Sequence, residues 1–410
     1  MIYISSGQVT FDGFTASTIT LEDGSFISKK GPGDLIITNS KFTNIVRNKN
    51  GNGAAINAEL TSSSGNVLIT GTTQTPPTSF SGCTVPLTEN STLNRGGAIF
   101  LDISSGTSKY DLSKATYTNC NAYRGKNLYI VANDLRVAVP EGTDAKLGSG
   151  YNTELNPDNL MGSVKVQETT LFPIPLYYLN THIALNTFHV KNPTTAYSYG
   201  SGHDNVGCGH QNWPCLNIDY ALQQSLSRYP TIDSNERIVG IISGYQLNKD
   251  NFINSAPHNT IIRNNLNAQN LATTILSNIE VTSVGQFVVL SGNVEFNLLN
   301  FQVQSGGAVN DGIIKDNSPQ SAITITNCQM HMANTVQQIE RRLLHIQYGT
   351  LTIDNLNVNS ISTQRSIIQI TDTAQLVKII NSKFENITRS QTEQTTGGVI
   401  ECNIVGISGG

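Results

Sequence analysis

The chain has 410 residues, a formal net charge of −4 and only 13% charged side chains, whereas 38% of its residues are hydrophobic. It contains no run of lysine and arginine that would attract nucleic acid, and no apolar run near the ~18 residues of a membrane span. Apolar and polar residues alternate, and 35 glycines accompany abundant asparagine and threonine. The composition therefore indicates an ordered, β-rich protein with many tight turns.

Both ends of the chain read as strands. The first residues, MIYISSGQVTF, lack the basic and apolar regions of a signal peptide, and the last residues, VGISGG, carry no capping segment. We therefore expect this chain to be a segment of a longer protein. Its partners would then include neighbouring domains of the same kind within that protein.

A short pattern recurs along the chain. LIITNSKFTNI at 35–45 is nearly restated as VKIINSKFENI at 377–387, and looser copies are ITITNCQMHMA at 323–333 and LTIDNLNVNSI at 351–361. Each copy alternates apolar and polar residues, which predicts a strand with one buried face. Each then reaches an asparagine, a residue suited to a turn.

The spacing of the copies indicates a repeat architecture. Equivalent apolar residues are 29, 28 and 26 residues apart, at Phe296, Ile325, Ile353 and Ile379. The asparagines that follow would stack in one turn and hydrogen-bond to one another; they are Asn327, Asn355 and Asn381. Strands that repeat every ~27 residues and stack in parallel predict an all-β fold, a parallel β-helix solenoid, because a propeller blade needs ~40 residues. A leucine-rich repeat would be richer in leucine and more regular in period.

A second element pairs glycines with a following strand. RGGAIF at 95–100 has relatives that begin at Asn52, Gly306 and Gly397. A phosphate-binding loop would occur once and open a helix, so this recurring element predicts the corner of a repeat instead. Side-chain alternation then turns Ile99 and Leu101 inward, and Phe100 and Asp102 outward.

These residues resemble a known family. SKFTNIVRNKNGNGAAI and SKFENITRSQTEQTTGGVI are similar to the FxxN…GGAI repeats of polymorphic outer-membrane proteins, and more broadly to right-handed parallel β-helices of the pectin-lyase type. Asn44 and Asn386 depart from that pattern, because each lies two residues after the phenylalanine instead of three. The resemblance implies the fold and leaves the activity open.

The region 188–250 resembles the opening of such a β-helix domain, and it implies two β-helix units. The first would comprise 1–165 and the second 191–410, with a junction at 166–190. A short capping helix is expected at about 216–229, with one apolar face formed by Ile218, Ala221, Leu222, Leu226 and Tyr229.

Six cysteines are present, and no CxxC pair is among them. Cys208 and Cys215 flank the loop of the second resemblance, where a disulfide would staple it; two inert thiols are the alternative. The pairing of the other four stays open; they are Cys83, Cys120, Cys328 and Cys402. Two N-glycosylation sequons, at Asn90 and Asn386, weakly support an extracellular or cell-surface location.

No catalytic, cofactor-binding or metal site emerges from the sequence. Asp354 and Asp372 are candidate acids, yet they occupy different positions of their repeats. SGHDN, with His203, Asp204 and Asn205, is the best ligand-like cluster, and its simpler interpretation is a polar loop that hydrogen-bonds its own turn.

Two further segments have simple interpretations. Trp213 would stack on a sugar or, more simply, pack inside the cap. The segment ERR at 340–342 reads as a solvated loop, and His331 and His345 read as isolated surface or core residues.

Two functional hypotheses follow. The first is a non-enzymatic, structural or adhesin-like segment of a larger extracellular or cell-surface protein, which binds polysaccharide or a cell-surface protein and uses no cofactor. The alternative is a carbohydrate-active enzyme of the pectin-lyase type, either a lyase or a hydrolase.

Overall fold

The computed structural model describes residues 1–88, 93–104, 109–151, 156–167, 172–180, 187–192, 200–228, 236–265, 275–304, 312–333, 338–389 and 398–402. Strands dominate and helices are few, so the expected all-β class is confirmed. The chain divides into two compact units. Unit 1 comprises Met1–His182 with Asn205–Gly207, and unit 2 comprises Ile183–Asp204 with Cys208–Gly410.

Unit 1 has fifteen strands in the part of the chain that the structure describes. They are β1 (Ile2–Ile4), β2 (Val9–Asp12), β3 (Thr15–Leu21), β4 (Ile27–Lys29), β5 (Leu35–Thr38), β6 (Lys41–Arg47), β7 (Ile56–Leu60), β8 (Val67–Ile69), β9 (Thr78–Ser81), β10 (Ile99–Ile103), β11 (Tyr110–Asp111), β12 (Ala115–Thr118), β13 (Leu128–Ala132), β14 (Leu160–Val164) and β15 (Ile174–Pro175). Two short α-helices, α1 (Leu135–Ala138) and α2 (Leu176–Asn180), and three 3₁₀ turns complete the unit.

From β1 to β13, every third strand of unit 1 belongs to the same sheet. One sheet runs β1-β4-β7-β10-β13-β14-β15, the second β11-β8-β5-β2 and the third β12-β9-β6-β3. All pairings are parallel except the last, between β14 and β15. Each return to a sheet places the new strand beside the one before, so neighbouring repeats bury each other's apolar faces.

Unit 2 contains the longest helix among the described residues and seventeen strands. They are β16 (Thr187–Val190), α3 (Ile218–Arg228), β17 (Glu236–Ile241), β18 (Tyr245–Leu247), β19 (Asp250–Asn264), β20 (Ser277–Val281), β21 (Gln286–Asn297), β22 (Leu299–Val303), β23 (Ile314–Asp316), β24 (Ser321–Thr326), β25 (Gln329–Met332), β26 (Leu344–Ile346), β27 (Thr350–Asp354), β28 (Asn357–Thr363), β29 (Ile368–Ile370), β30 (Leu376–Ile380), β31 (Lys383–Arg389) and β32 (Ile400–Cys402).

In unit 2 every third strand returns to the same sheet from β22 onward, and the strands before it pair with strands only one or two places earlier in the chain. One sheet follows β16-β17-β19-β21-β23-β26-β29-β32 and branches at β21 to β24, β27 and β30, and the other follows β18-β20-β22-β25-β28-β31. The helix expected at about 216–229 is α3, which packs against β16 and β17. Ile218, Ala221 and Leu222 of its predicted apolar face are buried.

The predicted alignment of the repeats is confirmed residue by residue. Phe296 pairs with Ile325, Ile325 with Ile353, and Ile353 with Ile379 in successive parallel strands. The first three of these side chains are almost fully buried. The period in the sequence therefore equals the distance along the chain between adjacent strands of one sheet.

The backbone conformation explains why asparagine stands two residues after the phenylalanine. Asn44 and Asn386 adopt left-handed backbone conformations, with φ of 51° and 53°. The parallel ladder skips this position, since Ser17 pairs with Thr43 and the next pair is Ile19 with Ile45. Asparagine tolerates the left-handed conformation better than most residues, which accounts for its presence at this position.

At Gly96 the double-glycine element forms a corner before a strand, as predicted, whereas Gly306 and Gly397 lie outside the described residues. Gly96 has φ of 65°, and a Cβ there would lie 2.1 Å from the carbonyl oxygen of Ile99. Ile99 and Leu101 point into the core of unit 1. Phe100 lies on the opposite face, yet it is only 6% exposed, because Tyr129, Val131 and Met161 cover it.

Candidate functional site

The SGHDN loop is organised around the carboxylate of Asp204. Its Oδ1 accepts hydrogen bonds from the backbone N–H groups of Leu216 and Asn217, each at 3.0 Å. The amide nitrogen of Asn217 donates to its Oδ2. Burial raises the pKa of Asp204, and these hydrogen bonds to the ionised form partly oppose the increase. Asp204 therefore anchors the residues that lead into α3.

The neighbouring residues of the loop also have local partners. The ring of His203 stacks on Trp213 at 4.7 Å, and Trp213 is completely buried. The Oδ1 of Asn205 accepts a hydrogen bond from the backbone N–H of Gly207 at 3.2 Å. The simpler interpretations of this cluster hold, and Trp213 offers no platform for a sugar because no part of its face is exposed.

The cysteines fall into two classes. The sulfur atoms of Cys208 and Cys215 lie 2.02 Å apart, at disulfide distance, and both residues are fully buried. Cys83, Cys120 and Cys328 are buried free thiols, and Cys402 is an exposed one. Burial raises the pKa of Cys328 to about 12, so this thiol is protonated and unreactive at neutral pH.

The two glycosylation candidates are Asn90 and Asn386. Asn90 lies outside the described residues. Asn386 is exposed, and its Nδ2, the atom that a glycan would modify, donates to Oδ1 of Asn359 at 2.9 Å.

The candidate acids stand apart from any cluster in the described ranges. Asp354 accepts a hydrogen bond from Asn381 Nδ2 at 2.9 Å, and Asp372 is exposed after β29. Among the described residues, no group of three or more histidine, cysteine, aspartate or glutamate side chains could hold a metal ion.

The ERR segment is a correction to the sequence analysis. Glu340 is exposed as expected, but Arg341 and Arg342 are only 2% and 9% exposed. Arg341 donates to backbone carbonyls, including those of Thr282 and Ser283 at 3.3 Å. Arg342 forms an ion pair with Glu401, with 3.5 Å from Nη2 to Oε2. A local polar pattern cannot reveal carbonyls and carboxylates that distant strands bring to the same place.

A cleft of about 440 Å³ lies beside the start of α3 in unit 2. Four of its seven lining residues carry carboxamides; the lining residues are Asn192, Leu216, Asn217, Gly244, Tyr245, Gln246 and Asn248. Gln246 and Asn248 are exposed, whereas Tyr245 is buried. A polar cleft of this size can hold a few sugar residues or a short peptide.

Carboxylates hold two of the lining amides in place. Asn217 donates to Asp204, and Gln246 Nε2 donates to Glu280 Oε2 at 3.2 Å. Burial raises the pKa of Tyr245, which keeps its hydroxyl neutral. The cleft therefore presents neutral groups that donate and accept hydrogen bonds, and at least two of these groups are fixed in orientation.

No pattern in the sequence indicates the cleft. Its residues come from three segments, around 192, 216–217 and 244–248, that only the fold brings together. The one sequence signal was that some of these residues lie close to the SGHDN loop, whose Asp204 accepts a hydrogen bond from the backbone N–H of Asn217.

In the part of the chain that the structure describes, no helix is long and apolar enough to cross a membrane. No protein-family model, curated protein or solved structure matches the chain significantly. The interpretation of the cleft therefore rests on its own residues.

Proposed function

We propose that the chain is a pair of right-handed parallel β-helix units in a larger extracellular or cell-surface protein, with a non-enzymatic, adhesin-like role. The fold is supported by the repeated return of the chain to the same sheets in both units, where every described strand pairing except that of β14 with β15 is parallel. Stacked repeats of this kind form extended surfaces on which binding groups can be displayed.

The extracellular location is supported by the disulfide-distance pair Cys208 and Cys215, because such bonds persist mainly in oxidising compartments. The low content of charged residues also suits a surface that contacts glycans or proteins through hydrogen bonds.

A binding role is supported by the chemistry of the cleft. Carboxamides do not ionise at physiological pH, so they orient a ligand and cannot transfer protons as general acids or bases. Four of the lining residues are of this kind.

The proposed function is tested with the whole 410-residue chain on a glycan array and on intact cells. We expect retention on at least one of the two surfaces, at a level that bovine serum albumin does not reach. Absence of binding on both would remove the adhesive role and leave only a structural one.

One observation favours the alternative, a pectin-lyase-like carbohydrate-active enzyme. A carboxyl group with a raised pKa beside a cleft is a common feature of active sites, and Asp204 has both properties. The enzyme hypothesis predicts release of reducing or unsaturated sugar ends from polysaccharides, and loss of that release in Asp204→Asn. An inactive wild-type chain would rule it out for the substrates tested.

A further inference from the structure

We infer that the amide-lined cleft beside α3 is the ligand site of this protein and that its ligand is a neutral oligosaccharide. The inference rests on the proposed binding function and goes beyond it by naming the site and the ligand class. It is carried by the side chains of the cleft and by the charges that contact them.

The lining amides match the hydrogen-bonding capacity of a sugar. Each carboxamide both donates and accepts, as each sugar hydroxyl does, so the four amides suit the hydroxyls of an oligosaccharide. A hydrophobic peptide would leave these polar groups unpaired on binding, which is costly.

Two of the lining amides are restrained before a ligand arrives. The amide of Asn217 donates to Asp204, and that of Gln246 donates to Glu280. Because one N–H of each amide is already bound to a carboxylate, its orientations are restricted, and less conformational entropy is lost on binding.

Negative charge lies beside the cleft. The carboxylates of Asp204 and Glu280 hydrogen-bond to two of the lining amides. Nearby, Lys249 is bound to Asp219, with 3.1 Å from Nζ to Oδ2. An acidic sugar in the cleft would be repelled by these carboxylates, so uronate, sialate and sulfated glycans are disfavoured.

The test uses the full chain and the double variant Gln246→Ala/Asn248→Ala. Both residues are exposed and line the cleft, so the variant should fold normally. The matched control is Gln329→Ala, an exposed glutamine on β25 of the same sheet. Binding is measured against immobilised neutral glycans (glucan, galactan, mannan and xylan) and against acidic ones (polygalacturonate and heparin).

We expect binding to a neutral glycan, with about tenfold weaker affinity in the double variant and less than about twofold change in the control, since two hydrogen bonds are removed. Binding that is equal in the double variant and the wild type would place the site elsewhere and overturn the inference, while the proposed function stands. Preference for acidic glycans, or binding to a protein only, would overturn the ligand class. No binding to any glycan or cell would overturn the inference and the adhesive role together.

Discussion

The amide nitrogen of Asn355 donates to Oδ1 of Asn327 at 2.8 Å, across 28 residues of chain. Both residues have left-handed backbones, with φ of 58° and 52°. Asn381 shares that conformation, yet its amide donates to Asp354 and not to Asn355. The predicted asparagine ladder therefore exists at this turn for one step, and a carboxylate accepts the next hydrogen bond.

The same turn contains an exception that can be tested. Leu298 occupies the position equivalent to Asn327, with φ of 56°, although leucine adopts this conformation at a cost of about 1–2 kcal/mol. We expect Leu298→Asn to raise the free energy of unfolding by about 1 kcal/mol, because asparagine tolerates this backbone and can join the ladder. Urea denaturation checks this. A free energy equal to or below the wild-type value would contradict it.

The corner at Gly96 should tolerate no side chain. A Cβ would lie 2.1 Å from the Ile99 carbonyl oxygen, so Gly96→Ala should lower the free energy of unfolding by at least about 3 kcal/mol or prevent folding. Gly142 is the matched control, since its φ of 76° is similar and no atom lies within 4 Å of its Cβ position. Gly142→Ala should cost only about 1 kcal/mol. Equal effects in urea denaturation would show that the crowding has no role.

His189 should make unit 2 sensitive to acid. It is buried, its Nδ1–H donates to the Gly209 carbonyl at 3.1 Å, and burial lowers its pKa from the ordinary 6.5. Below pH 6.5 the unfolded chain binds the proton more readily than the folded one. The free energy of unfolding therefore decreases as the pH is lowered, by at most ~1.4 kcal/mol per pH unit. His189→Gln should reduce this loss between pH 6.5 and 5. The difference is measured by chemical denaturation at several pH values, and parallel pH profiles would refute the role of His189.

The Cys208–Cys215 pair should stabilise unit 2. It closes a short loop, with a sequence separation of 7, so its removal should cost about 2–3 kcal/mol. The double variant Cys208→Ser/Cys215→Ser should therefore unfold at lower urea concentration than the wild type. Dithiothreitol should not lower the stability of this variant further. Cys402→Ser, at an exposed free thiol, is the control and should match the wild type. Wild-type stability that dithiothreitol leaves unchanged would contradict the bond.

The repeated strands, their period and their left-handed turns could be predicted from the amino-acid sequence alone. Alternation of apolar and polar residues is a local property, and it located buried residues such as Ile325 and Ile353. The recurrence of the pattern then predicted which strands lie side by side, because identical repeats offer one another the same apolar face. The left-handed turns also followed from local chemistry, since few residue types adopt that backbone.

Which polar residues are buried, and which of them meet in a site, depends on the folded arrangement of distant segments. Arg341 and Arg342 look solvated in the sequence, but segments far away in the chain supply their partners. Phe100 faces away from the core and is covered by Met161 from a later strand. The amide cleft joins Asn192 to Gln246 across more than fifty residues. Such contacts depend on the positions of several strands at once, and no local pattern records them.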